Sequence, residues 1–195
     1  MADLQTVSIL LLGDDGVGKS TFLSRLSLLR RESGLASDKS APPLLRDGDQ
    51  PFVLDLRTCL VTLRLEFSDT ASPENWRCLR PDMIIMCFDI SSRPSLASLA
   101  SLWIKEIRTV FAHSDSLPIL VLGLKRDLRR EDDPAGVVYP QEAYAIAQQM
   151  RADMYLECSA ATGTLMAEVL EDVCRRAAGT TTPEGGQSEG TCRVM

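Results

Sequence analysis

Apolar and polar positions alternate in blocks along the chain, and these blocks predict a succession of strands and helices. Short runs that are apolar or alternate in polarity predict six strands, at residues 7–12, 52–57, 60–67, 83–89, 119–124 and 154–157. Longer segments with helical spacing predict four helices, at residues 19–30, 94–112, 140–150 and 165–177. This alternation indicates an α/β protein whose doubly wound, mostly parallel sheet is flanked by helices.

Two further patterns predict an edge hairpin and the end of the folded domain. Little more than Thr58 and Cys59 separates the second and third predicted strands, so we expect an antiparallel hairpin at a sheet edge. From Gly179 onward the chain is too polar to pack, which indicates a flexible tail. We therefore expect one globular domain over residues 1–178 and a flexible C-terminal tail over residues 179–195.

Composition and charge narrow the classes of partner. A chain of 195 residues with 45% hydrophobic composition can bury a single core. The net charge of −6 argues against nucleic acid, which needs clustered lysines and arginines. We expect no secretory signal, and no apolar run approaches the ~18 residues of a membrane helix. The six cysteines include no C-x-x-C pair, and all of them except Cys192 are expected to be reduced, mostly buried thiols of a cytosolic protein.

A glycine-rich segment between the first strand and the first helix carries the clearest chemistry. Its residues match the phosphate loop G-x-x-x-x-G-K-S and are Gly13-Asp14-Asp15-Gly16-Val17-Gly18-Lys19-Ser20. Backbone N–H groups of such a loop converge on phosphate oxygens. Lys19 would neutralise the β- and γ-phosphates, the Ser20 hydroxyl would ligate Mg²⁺, and Thr21 would also contact the nucleotide. Asp14 and Asp15 are unusual, because they bring two carboxylates to a loop that binds a polyanion.

Four more motifs follow at the places where a nucleotide-binding α/β protein builds its site. Asp69, after the third strand, can hold Mg²⁺ through a water, and Asp127 in Leu124-Lys125-Arg126-Asp127 can accept both N–H donors of guanine. Lys125 is a further nucleotide-binding candidate. Backbone N–H groups at Ser159-Ala160 can meet the guanine carbonyl. The final Cys192-Arg193-Val194-Met195 is a C-a-a-X prenylation box, with Cys192 as its acceptor.

In this order, the motifs resemble the Ras superfamily of small GTPases, and within it the Rho branch. The Rho-like stretches are Leu79-Arg80-Pro81, Met86-Cys87-Phe88, Val138-Tyr139-Pro140-Gln141 and Tyr155-Leu156-Glu157-Cys158-Ser159-Ala160. The resemblance covers roughly residues 5–178 and the C-terminal box. It implies a small GTPase fold, which is a six-stranded, mostly parallel sheet with one antiparallel edge strand and about five helices.

The resemblance also implies a mode of action. GTP or GDP with Mg²⁺ would be the cofactors, and the chain would be a monomeric signalling switch that meets effector and regulator proteins. A prenyl group on Cys192 would place it on the cytoplasmic side of the plasma membrane or of an endomembrane, with a cytosolic pool. Small-molecule kinases with the same phosphate loop are disfavoured, because they would not need the guanine-reading residues.

Departures from the family pattern concentrate at the reaction centre. The switch motif Asp-Thr-Ala-Gly-Gln-Glu is here Asp69-Thr70-Ala71-Ser72-Pro73-Glu74. Ser72 replaces the glycine that contacts the γ-phosphate, and Pro73 replaces the glutamine that orients the attacking water. Proline has neither a side-chain donor nor a backbone N–H. Asp15 replaces a glycine and would repel the γ-phosphate, so we name no catalytic residue and expect weak hydrolysis.

Two departures bear on nucleotide binding, and three functions stay open. Asp47 stands where the family's spacing places a Mg²⁺-ligating threonine, and its charge counts against that role. Leu124 replaces the Asn or Thr that braces the phosphate loop. The preferred function is a GTP-binding switch with weak hydrolysis. The alternatives are a pseudoGTPase interaction scaffold that binds nucleotide poorly or not at all, and a conventional cycling GTPase.

Three positions have structural interpretations beside the functional ones. Trp76 fits an effector anchor and a core residue equally well, whereas the spacing of Trp103 predicts a core residue. Beyond Asp127, the charged run that continues to Asp133 is expected to be a solvated loop.

Overall fold

The computed structural model describes residues 4–31, 51–57, 62–69, 76–112, 116–129 and 136–180. Six strands in these residues form one sheet: β1 (Leu4–Leu12), β2 (Phe52–Arg57), β3 (Thr62–Asp69), β4 (Met83–Asp89), β5 (Ile119–Leu124) and β6 (Met154–Glu157). Their order across the sheet is β2-β3-β1-β4-β5-β6. Neighbouring strands run parallel, except for the antiparallel pair β2 and β3 at one edge. The predicted sheet and its edge hairpin are confirmed.

The strand bounds differ from the predicted ones at β1 and β3 only. β1 begins at Leu4 rather than at residue 7, because Leu4 already pairs with Thr62 of β3. β3 covers Thr62–Asp69 instead of residues 60–67. Asp69 is therefore the last residue of β3, where it pairs with Leu11, and does not follow the strand as predicted.

Four helices flank the sheet within the described residues. They are α1 (Lys19–Arg31), α2, α3 (Pro140–Gln149) and α4 (Met166–Thr180). α2 is a succession of an α-helical segment Arg93–Ser98, a π-helical turn Leu99–Trp103 and an α-helical segment Ile104–Val110. The predicted uniform helix at residues 94–112 is thus interrupted, and such π turns occur frequently at functional sites. The resemblance implies about five helices, against these four.

Both faces of the sheet are covered by apolar layers, as a parallel sheet requires. Side chains of β4 alternate between them: Ile85 and Cys87 pack with α1 and α4, whereas Ile84 and Phe88 pack with α2 and α3. This arrangement leaves the carboxyl ends of the parallel strands as the place where the connecting loops meet, which is where such folds bind ligands. In the part of the chain that is described, no helix is long and apolar enough to cross a membrane.

A shielded ion pair connects the loop after β5 to the end of β6. The Arg129 guanidinium donates to both carboxylate oxygens of Glu157 at 2.6 Å, and the two side chains are only 16% and 10% exposed. The predicted solvated loop is therefore wrong for Arg129, whose planar fork matches the carboxylate. Residues 130–133 of that run lie outside the described residues.

Replacing Arg129 by methionine is expected to destabilise the fold. Burial by itself raises the pKa of Glu157, but hydrogen bonds from Arg129 and Tyr155 outweigh it and lower the pKa below the usual 4.5. Removing Arg129 leaves the shielded carboxylate with Tyr155 and the more distant Arg126, whose Nε lies 3.5 Å away, so we expect the lower end of the cost of breaking a buried pair, about 3 kcal/mol. At pH 7 the midpoint of thermal unfolding, followed by circular dichroism, should fall by roughly 6 to 12 °C.

The effect of Arg129→Met on the unfolding midpoint should depend on pH, and a second arginine variant provides the control. Because the folded-state pKa of Glu157 is lowered, its stabilising contribution is present above pH 4.5 and is lost as pH falls through the lowered value. The difference in unfolding midpoint between the wild type and Arg129→Met should therefore shrink at acid pH. Arg175→Met is the control, since the Arg175 side chain on α4 is 65% exposed. Equal midpoints for Arg129→Met and Arg175→Met at pH 7 would contradict the role given to Arg129.

Candidate functional site

The predicted phosphate loop connects the end of β1 to the start of α1, as its chemistry requires. Its first residue, Gly13, has φ +146°, and a Cβ there would lie 2.1 Å from the carbonyl oxygen of Cys87 in β4. Any residue other than glycine would therefore displace the backbone. The close approach seats the loop directly on the central strand, with its N–H groups at the helix N-terminus, where anions bind.

Lys19 lies across this loop. The side chain is 7% exposed, and its ammonium donates to the carbonyl oxygens of Gly13 at 2.8 Å and of Asp14 at 2.9 Å. Both acceptors are uncharged, so these bonds fix the ammonium without neutralising it. The geometry fits a lysine that binds phosphate.

The two carboxylates of the loop differ in environment. Asp14 accepts a hydrogen bond of 2.8 Å from the indole N–H of Trp103, which lies at the π-helical turn of α2. Asp15 is exposed. Trp103 is partly buried and packs against the core. Its indole N–H also holds the Asp14 carboxylate in place, so it has two roles. Apolar spacing identifies the inward-facing ring, but it carries no signal for the partner of the indole N–H.

Trp76 lies close to this tether. It is 1% exposed, with ring centroids 6.5 Å from Trp103 and 5.9 Å from Phe111. Arg77 stacks over the Trp76 ring and forms an ion pair with Glu106 of α2. Of the two open interpretations, burial favours the core residue over an exposed effector anchor.

The residues predicted to hold Mg²⁺ meet beside the phosphate loop. The Ser20 hydroxyl donates to a carboxylate oxygen of Asp69 at 2.9 Å, which joins the first turn of α1 to the end of β3. Hydroxyl and carboxylate oxygens are the hard donors that Mg²⁺ prefers: the Ser20 hydroxyl would ligate the ion directly, and the Asp69 carboxylate would hold it through a water. The pair therefore fits this metal. Asp47 and the segment Thr70–Glu74, with Ser72 and Pro73, lie outside the described residues.

A cavity of about 240 Å³ opens next to the loop, where a base would lie. Its lining includes Gly18, Thr21, Lys125, Asp127 and Ala160. Asp127 accepts a hydrogen bond from the Ser159 hydroxyl, so its carboxylate is held in place. The structure thus brings the predicted base-reading residues to one side of the predicted phosphate site.

Arg25 of α1 supports the far wall of this cavity. It is 7% exposed and donates to the carbonyl oxygens of Ala160 at 2.6 Å and of Ala161 at 2.7 Å. These bonds tie the helix that follows the phosphate loop to the Ser159-Ala160 turn. Sequence reasoning missed this residue, although an arginine among apolar positions of an amphipathic helix was a usable signal.

Two cysteines near the site are structural. Cys87 and Cys158 are fully buried, as their apolar context predicts. Burial raises the pKa of Cys158 to about 12 and raises that of Cys87 further. Both thiols therefore stay protonated at neutral pH and are not nucleophiles. Cys192, predicted to accept a lipid, and the rest of residues 181–195 lie outside the described residues.

Comparison with known proteins points in the same direction as the geometry. The sequence pattern described as the Ras family matches residues 49–178. GTP-binding protein rho2 of Schizosaccharomyces pombe is 29% identical, covering 96% of this chain and 94% of its own length. GTP-binding protein rho1 of the same yeast is 31% identical, with coverages of 94% and 92%. Rho-related GTP-binding protein RhoH of Bos taurus is 29% identical, with coverages of 89% and 88%.

Proposed function

Because this chain belongs to the Ras family of small GTPases and is Rho-like in sequence, we propose that it is a guanine-nucleotide-dependent signalling switch whose GTP hydrolysis is slow. GTP or GDP and Mg²⁺ are the cofactors that small GTPases of this family use. In this chain they would be held by the phosphate loop with Thr21, by Asp69, Lys125 and Asp127, and by the Ser159-Ala160 turn.

One observation carries the proposal: the phosphate loop, which bears Lys19 and Ser20, adjoins the cavity that Asp127 lines, and Gly18 and Thr21 on either side of these two residues line the same cavity. The buried Lys19 ammonium lies over the phosphate loop, and Ser20 meets Asp69 at 2.9 Å. Asp127 is oriented by Ser159 at the cavity wall. Lys19 would bind phosphate, Ser20 and Asp69 would hold Mg²⁺, and Asp127 would read the two N–H donors of guanine.

Equilibrium titration of nucleotide-stripped protein with GDP tests this proposal. We expect saturable one-to-one binding in the presence of Mg²⁺, and no comparable binding of ADP under the same conditions. Equal affinity for GDP and ADP would remove the guanine-reading role from Asp127. The absence of binding to either nucleotide would favour the pseudoGTPase scaffold, which works through protein contacts alone.

Slow hydrolysis follows from chemistry at three positions. Asp15 is exposed in the phosphate loop, where its carboxylate would repel the γ-phosphate and an incoming arginine. Ser72 and Pro73 stand where the family has glycine and the water-orienting glutamine. Pro73 has no group that can orient water, so the attacking water would lack its usual partner.

We expect a single-turnover GTP hydrolysis rate below the order of 10⁻⁴ s⁻¹ that is typical of intrinsic small-GTPase hydrolysis. Asp15→Gly alone should recover little, because groups that act on one transition state are not additive. The triple change of Asp15→Gly, Ser72→Gly and Pro73→Gln is the matched comparison and should recover more. A wild-type rate in the ordinary range would refute slow hydrolysis and favour a conventional cycling GTPase.

Membrane attachment is a separate part of the proposal. Cys192 would accept a prenyl group, and the terminal Met195 favours farnesyl. One prenyl chain gives only marginal, reversible anchoring. Residues 180–191 contain Glu184 and Glu189 but no lysine or arginine, so anionic leaflets would not add to the attraction.

The expected result is a protein divided between cytosol and membrane. Cell fractionation of the wild type and of Cys192→Ser measures this, and the variant should move wholly to the cytosolic fraction. Cys174→Ser on α4 is the control, because this cysteine lies within the folded domain. Identical distributions of wild type and Cys192→Ser would show that the box is not used. A wholly membrane-bound wild type would reveal a second anchor.

A further inference from the structure

Asp89, the last residue of β4, lies beside the nucleotide site without belonging to any of its motifs. It pairs in register with Leu124 of β5, so it adjoins the step from Leu124 to Lys125. The backbone N–H of Ile90 donates to the Leu124 carbonyl at 3.0 Å and closes this contact. The position is the carboxyl end of a central strand, and folds of this type bind ligands outside the carboxyl ends of their strands.

The Asp89 carboxylate is shielded and fully engaged. Its side chain is 13% exposed. One oxygen accepts hydrogen bonds from the backbone N–H and the hydroxyl of Ser91, at 2.8 and 2.6 Å. The other accepts one from the Lys125 ammonium at 2.8 Å. The two bonds from Ser91 fix the orientation of the carboxylate, so that it presents one oxygen to Lys125.

Lys125 connects the Asp89 carboxylate to the phosphate loop. Its ammonium also donates to the carbonyl oxygen of Gly16 at 2.7 Å. Its methylene Cε lies 3.7 Å from the place where a Cβ of Gly18 would stand, so the side chain passes along the loop. The backbone of Lys125 has φ 59°, a left-handed conformation that lysine rarely adopts and that the surrounding contacts must maintain.

Leu124 cannot supply the polar brace that the family resemblance places at its position. It is 1% exposed and packs in the apolar layer between the sheet and α1 and α4. Its Cδ1 lies 3.8 Å from the Cβ position of Gly18, which is a van der Waals contact. An aliphatic side chain makes no hydrogen bond to the loop, so the polar link between sheet and loop has to come from elsewhere.

We infer that Asp89 is a positioning residue for the nucleotide site: through Lys125 it ties β4 to the phosphate loop and takes over the bracing role that Leu124 has lost. The inference rests on the nucleotide binding proposed above. Removing the charge of Asp89 should free Lys125 from one of its two anchors and loosen the loop, so that bound nucleotide leaves faster.

The test measures dissociation of fluorescently labelled GDP from the Mg²⁺-containing complex after addition of excess unlabelled GDP. Asp89→Asn keeps the shape of the side chain and removes its charge, and should accelerate dissociation roughly tenfold, as expected for loss of a charged supporting contact. Asp82→Asn is the matched control, because Asp82 precedes the other end of β4 and bonds to the Ser8 backbone instead. Circular dichroism melting of each variant establishes that it is folded.

A double-mutant cycle with Lys125→Met separates a positioning role from a merely structural one. If Asp89 acts through Lys125, Asp89→Asn causes no further acceleration in the Lys125→Met background. An unchanged rate in Asp89→Asn, or equal acceleration in both backgrounds, would overturn the inference while leaving the proposed function intact. Wild-type protein that never retains labelled GDP would instead reject the proposed function, and this inference with it.

Discussion

Replacing Lys19 by alanine is expected to weaken the binding of both GTP and GDP at least tenfold, which corresponds to about 1.4 kcal/mol or more. Lys19 is 7% exposed, and its ammonium donates to the uncharged carbonyl groups of Gly13 and Asp14. Its charge therefore remains available for phosphate, and alanine removes it. Isothermal titration calorimetry with each nucleotide in Mg²⁺ buffer measures the change.

Two comparisons make the result specific. Lys105→Ala removes one positive charge from the exposed face of α2 and should leave affinity unchanged. Melting of the nucleotide-free proteins establishes whether the loop still folds when its bonds to Lys19 are absent. If folded Lys19→Ala bound GDP as tightly as the wild type, the phosphate loop would not be the binding site.

Replacing Asp127 by asparagine should lower the affinity for guanine nucleotides roughly a hundredfold and raise that for xanthine nucleotides. The carboxylate would accept both N–H donors of guanine. Asparagine offers one acceptor and one donor, so its N–H group would face one of the guanine N–H groups. Loss of a charge-assisted pair of bonds costs about 3 kcal/mol. Xanthine carries a carbonyl group where guanine has an amino group, so it pairs with the asparagine amide. Competition of GDP and XDP for labelled nucleotide measures both affinities.

The variant is conservative because asparagine can still accept the hydrogen bond from Ser159. Glu171→Gln, on the exposed surface of α4 and outside the cavity lining, is the control for loss of one negative charge. Since Arg25 also holds the Ser159-Ala160 turn through the Ala160 carbonyl oxygen, the cavity itself should persist. Undiminished preference of Asp127→Asn for GDP over XDP would exclude Asp127 from base recognition.

Much of the fold could be predicted from the sequence because buried parallel strands are continuous apolar runs. β4 and β5 are such runs between turn residues, and their predicted and observed bounds coincide. The predicted bounds of β3 lie two residues before the observed ones. Its end is decided by pairing with β1, which continues as far as Asp69, and not by apolar content. The π-helical turn in α2 was not predicted, because a single turn of five residues is too short for apolar spacing to distinguish from the α-helix on either side.

The site residues that carry ligand chemistry were predictable because they fall in ordered motifs, and the residues that hold them were not. Lys19, Ser20 and Asp127 stand at fixed spacings from glycines or from strand ends. Asp89 and Trp103 act through contacts between segments far apart in the chain, with Lys125 and Asp14. No local pattern specifies such partners, because they depend on which strands and helices become neighbours.

The nucleotide content of the purified protein decides whether this chain is a GTP-binding switch with slow hydrolysis. Acid extraction of protein prepared in Mg²⁺ buffer, followed by anion-exchange chromatography, identifies and quantifies what it carries. A binding site with slow hydrolysis predicts GTP as the main co-purified nucleotide, in near-stoichiometric amount. GDP as the main species would contradict slow hydrolysis, and protein that carries no nucleotide and takes up none on incubation with GTP would contradict the switch altogether.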